Sequence, residues 1–83
     1  MNKPMMDRVW PLEVEPSSLR VGLLFLAAEA DERGRGATSM QALAEIVHRP
    51  EAAVGRHLAV LEGAGLIVVT ARAGASFDYE VTV

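Results

Sequence analysis

The sequence has no cysteine and few aromatic residues, with Trp10, Phe25, Phe77 and Tyr79 making up the whole set. Without cysteine there is neither a disulfide framework nor a thiolate metal site, and an intracellular, cytoplasmic protein is the expected setting. With so few rings, the core must come from leucine, valine, isoleucine, alanine and methionine. That supply is ample. Hydrophobic residues make up 51% of the 83, which excludes wholesale disorder and allows one small core. Long apolar runs are also missing. The best candidate, Val21 to Ala28, is too short to cross a membrane, and the acidic residues and prolines before it exclude a secretory leader.

An excess of positive charge is lacking too, since the formal net charge is −3. Its distribution matters more than its sum. Between residues 33 and 72, Arg33, Arg35, Arg49, Arg56 and Arg72 face only Glu45, Glu51 and Glu62. The middle is the basic part of an acidic chain. Catalytic signals are absent as well. His48 and His57 lack the spacing of a metal pair, so no metal and no cofactor are expected. Ser17-Ser18 reads as a helix cap rather than a nucleophile. Gly34-Arg35-Gly36 has neither a preceding strand nor a following Lys-Ser/Thr, so it is not a phosphate loop. The expectation is a protein that is not an enzyme.

What is present is a change of hydrophobic period along the chain. Residues 1–15 read as an N-terminal arm, because Pro4, Pro11 and Pro16 forbid a continuous helix there. Val9, Trp10, Leu12 and Val14 can still fold back onto the body. A first helix is expected from a serine cap at Ser17-Ser18 to about Arg33, ending at Gly34. Leu19, Leu23, Leu26, Ala27 and Ala30 share one face of it, and Val21, Leu24, Phe25 and Ala28 nearly the opposite one. One face belongs to the core. The other needs either the arm or a second subunit, and a homodimer seam of Trp10, Val21, Leu24, Phe25 and Ala28 is the expected use.

Thr38 with Gln41 fits a capping box for a second helix carrying Met40, Leu43, Ala44, Ile46 and Val47. Pro50 suits the first position of a third helix, which buries Val54, Leu58 and Leu61 and ends at Gly63 and Gly65. Leu66 to Thr70 is β-branched and strand-like, and Arg72 to Ala75 can turn the chain. Phe77, Tyr79, Val81 and Val83 then alternate with polar residues, as a half-buried strand should. The fold class is α+β, with an arm over 1–15 and one domain over 16–83.

The run Val54-Gly55-Arg56-His57-Leu58-Ala59-Val60-Leu61-Glu62-Gly63-Ala64-Gly65-Leu66-Ile67 resembles the recognition-helix-into-wing segment of arsenical-resistance-type and multiple-antibiotic-resistance-type repressors. Trp10-Pro11-Leu12, the leucine-rich helix and Ala28-Glu29-Ala30-Asp31-Glu32-Arg33-Gly34 are similar to domains of phage and plasmid replication proteins. The resemblance covers about residues 10–83. It implies a winged helix-turn-helix, with three helices and a C-terminal β-hairpin wing, that binds double-stranded DNA as a dimeric transcriptional regulator. It also implies that Glu51, Ala52, Gly55, Arg56 and Ala59 face the groove, with Arg49 and His57 beside them and Arg72 at the wing tip.

The chain departs from that pattern at the start of the third helix. Pro50-Glu51-Ala52-Ala53 stands where Ser, Thr or Arg would bond phosphates and base edges, and His48-Arg49 replaces the usual turn glycine. A winged helix that docks on a protein partner, as an adaptor or anti-repressor, therefore stands as the alternative.

Overall fold

Four helices and three antiparallel strands follow one another as α1 (Lys3–Val9), α2 (Ser17–Glu29), β1 (Arg35–Ser39), α3 (Met40–Val47), α4 (Glu51–Gly63), β2 (Ile67–Ala73) and β3 (Ser76–Val81). The computed structural model describes residues 2–83, and Met1, the first residue of the expected arm, lies outside the described residues. The sheet order is β1-β3-β2, so β3 is central and the two antiparallel pairs share it. This is a small α+β domain.

Most of the core falls where apolar spacing puts it. Leu19, Leu23, Leu26 and Ala27 of α2 are buried, as are Val54, Leu58 and Leu61 of α4 and Phe77, Tyr79 and Val81 of β3. The alternation on β3 holds: Ser76 before Phe77 and Asp78 after it are exposed, and Glu80 between Tyr79 and Val81 is half-buried. No helix among the described residues is long and apolar enough to cross a membrane.

The expected arm is helical in part, and its Val9, Leu12 and Val14 pack on the body. Residues 3–9 form α1, because Pro4 sits in the first turn, where a missing N–H costs nothing. Asn2 caps that turn, its Oδ1 accepting from the Met5 N–H at 3.1 Å. The same side chain donates from Nδ2 to the carbonyls of Ala30 and Asp31, at 3.2 and 2.7 Å. Its backbone N–H donates to the Ala28 carbonyl at 2.8 Å. One residue thus starts α1 and satisfies orphan carbonyls at the end of α2. The first helix of the sequence reading also stops early, at Glu29 rather than Arg33, with Ala30 as its cap residue. Asp31 is the reason. Its Oδ1 accepts from the backbone N–H groups of Arg33 and Arg35 at 2.8 and 2.9 Å, folding the chain into a turn.

Those two donations hold the Asp31 carboxyl below its ordinary range. Gly34 closes the turn with φ +81°, and Arg35–Ser39, where the sequence reading expected no strand, becomes an edge strand by pairing with β3. Three caps move by a residue or so for local reasons. Pro16, not a serine, is the cap position of α2, and no side chain bonds there. Ser39 rather than Thr38 caps α3, accepting from the Ala42 N–H at 3.1 Å, because α3 begins at Met40 and Ser39, the last residue of β1, stands directly before it. Pro50 occupies the cap position of α4 rather than its first turn.

Tyr79 ties the sheet to α2. Its hydroxyl donates to the Leu26 carbonyl at 2.6 Å inside the core. Burial is the largest cause that pushes the phenol up to about 12 from 10.0, with Glu29 and Asp31 adding to it. A raised acid of this kind keeps its full contribution below the unfolded value and loses it as pH climbs toward the folded one. Stability is therefore expected to fall between about pH 10 and 12, by on the order of 2 kcal/mol. Thermal unfolding across that window checks it. Tyr79→Phe should flatten the decline, and an equal decline in both proteins would refute the assignment.

Candidate nucleic-acid interface

The interface candidates lie on α3, α4 and the hairpin. α3 ends at His48, which adopts the left-handed conformation (φ 54°, ψ 47°) that the usual glycine would take. His tolerates it better than bulky or β-branched residues do. The chain then passes through Arg49 and Pro50 into α4, so a short turn sets the angle between the two helices. Arg49 is exposed, with its guanidinium donating to the His48 carbonyl at 3.2 Å.

On α4 the buried stripe of Val54, Leu58 and Leu61 decides what faces out. Ala52, Arg56 and Ala59 are exposed on the opposite side, and Glu51 is exposed in the first turn. There its carboxylate suits the positive end of the helix dipole. Gly55 is half-buried on one flank, toward Met40. Arg49 and Arg56 carry no ion pair among the described residues. The structure thus brings together Arg49, Glu51, Ala52, Gly55, Arg56 and Ala59.

His57 does not join them. It is half-buried and lines a crevice between α2, α3 and α4 with Ser18, Gly22 and apolar core residues. That crevice has about 10 Å³ of room, enough for at most a single water. Although Ser18 and His57 share it, no hydrogen bond joins them among the described residues, and no carboxylate lines it. No group of His, Cys, Asp or Glu among the described residues could hold a metal ion.

Arg72 is a second correction. The hairpin tip is Gly74-Ala75, without charge, and Arg72 stands on β2 opposite Phe77. Its Nη2 lies 3.5 Å from Glu62 Oε1 on α4. The hairpin is also short, projecting only Gly74-Ala75 past the last β1 pair, Ser39 with Ser76. The Ala75 carbonyl accepts from the Met40 N–H at 2.9 Å, which ties the tip to the start of α3. Glu62 was not among the expected site residues, and its pairing with Arg72 depends on a register shift in β2 between Val69 and Ala71 that has no local sequence signature.

The expected dimer seam is largely occupied from within. α1 runs against α2, from Asn2 beside Ala28 to Trp10 beside Arg20. Leu24, Phe25 and Ala28 are half-buried, Met5 and Val9 are buried, and only Trp10 and Val21 stay exposed. The Arg20 guanidinium lies 5.2 Å from the Trp10 ring centroid, in cation–π contact. Comparison with family models, with curated proteins and with solved structures found no match for this chain.

Proposed function

We propose that this chain is a winged helix-turn-helix that binds double-stranded DNA with α4 in the major groove, as a small transcriptional regulator of bacterial, phage or plasmid type. The observation that carries the reading is the pairing of order with exposure. α3, a short turn and α4 are followed by the β2–β3 hairpin, and α4 turns Arg56 outward between two alanines. Small flanking residues let the helix backbone approach base edges, while Arg56 can bond a guanine. Arg49 and Arg72 flank it as phosphate contacts. The role is binding, without catalysis.

Two copies on a palindromic site would double the phosphate contacts of a face that has few. Of the expected seam, Trp10 and Val21 are the residues still exposed to a second copy. Sedimentation of wild type and Val21→Glu tests that part, since the substituted position is exposed and folding should survive.

DNA binding itself is tested by gel-shift with pooled genomic fragments at low and physiological salt. Arg56→Ala should lose about 1–3 kcal/mol and relax the preference at one base position. Arg72→Ala should weaken all sequences alike and flatten the log K against log salt slope by roughly one per subunit. Absence of salt-sensitive binding to any duplex would defeat the proposal.

The short, uncharged hairpin tip and the net charge of −3 favour a second reading, docking on a protein partner through Ala52, Gly55 and Ala59. In that case neither arginine substitution matters to DNA, and a substitution of Ala59 by a bulky residue should abolish partner binding.

A further inference from the structure

We infer that a one-residue bulge in β2 aims Arg72 at α4, and that Glu62 then holds its guanidinium as a tethered competitor for a DNA phosphate, an inference that rests on the DNA-binding reading above. Side chains alternate between sheet faces along a strand. On β2, Ile67 opposite Val81 and Val69 opposite Tyr79 lie on the helix side, and Val68 opposite Glu80 lies on the solvent side. Simple alternation would put Thr70 opposite Asp78 and Arg72 opposite Ser76, on the solvent side. The register instead skips a residue between Val69 and Ala71, so Ala71 meets Asp78 and Arg72 meets Phe77. Thr70 is the extra residue. The bulge moves Arg72 to the face that α4 covers, which is how bulges re-aim side chains.

Once turned, Arg72 reaches Glu62 near the C-terminal end of α4, with a single N–O approach of 3.5 Å. Both side chains remain well exposed, at 59% and 37%. An exposed, single-contact pair is weakly held. A guanidinium can donate to a phosphate in place of a carboxylate, since each presents a pair of negatively charged acceptor oxygens that match its planar fork. Glu62 therefore keeps Arg72 neutralised in the free protein, and a backbone phosphate arriving beside α4 must displace it. Arg72 then adds a phosphate contact to a duplex docked on α4, whatever its sequence.

The test compares wild type, Glu62→Gln, Arg72→Ala and the double variant on a mixed-sequence duplex of about 30 base pairs at low salt, with circular dichroism confirming the fold of each. Glu62→Gln should tighten binding roughly three- to tenfold when Arg72 is present, and less than about twofold when it is absent. Equal tightening in both backgrounds would mean a general charge effect and overturn the inference, leaving the DNA-binding reading intact. Weaker binding by Glu62→Gln would also overturn it, because Glu62 would then be positioning Arg72 rather than competing for it. If no variant binds the duplex at all, the DNA-binding reading falls first and the inference with it.

Discussion

Leu58→Ala is expected to lower the unfolding free energy by roughly 2–5 kcal/mol, a large fraction of what a domain of this size has. Leu58 is 2% exposed and stands between Val54 and Leu61 on the buried stripe of α4. Truncation removes apolar contact and leaves a hole that rigid neighbours cannot fill. The hole would open onto the existing crevice beside Gly22 and His57, so collapse around it is unfavourable there. Leu58→Met, which nearly conserves volume, should cost less than about 1.5 kcal/mol. Urea unfolding of the three proteins measures both. A wild-type midpoint for Leu58→Ala would mean that α4 is not packed through this stripe.

Gly36→Ala is expected to cost about as much, for the opposite reason. A Cβ on Gly36 would lie 2.6 Å from the Tyr79 hydroxyl oxygen and 2.7 Å from the ring carbon that bears it. Tyr79 is 1% exposed and its hydroxyl is bonded to Leu26, so the ring has nowhere to retreat. Crowding of this kind costs about 1–3 kcal/mol. Breaking the bond to Leu26 leaves two buried polar atoms unsatisfied, at roughly another 1–3 kcal/mol. The two substitutions Gly36→Ala and Tyr79→Leu should be strongly non-additive, because the second removes what the first strikes. Additive losses in thermal melts would show that β1 does not need glycine to pass over that ring.

Periodicity made some elements legible and left others hidden. The spacing of Val54, Leu58 and Leu61, and the alternation of Phe77, Tyr79 and Val81, are local patterns that a buried face imposes directly. β1 has no such pattern. Arg35-Gly36-Ala37-Thr38-Ser39 is a strand only because β3, about forty residues on, pairs with it. α1 was hidden by Pro4, which breaks helices in the middle and begins them in the first turn, and by an Asn2 whose partners lie at the far end of α2. In the candidate interface, the outward position of Arg56 follows from helical spacing alone. The turn of Arg72 toward Glu62 does not, since one extra residue in a ladder reverses the face of everything after it.

The chain's single tryptophan and single tyrosine sit in contrasting surroundings. Trp10 ends α1 at 63% exposure under the Arg20 guanidinium, whereas Tyr79 is sealed in the core. Each is therefore an optical label placed by the fold itself. Indole fluorescence reports whether α1 is seated on α2, and the near-ultraviolet signal of the phenol reports whether the sheet is closed on the helices. If α1 detaches before the rest unfolds, the two signals will separate along a denaturant series, and the N-terminal helix can be followed without any added dye.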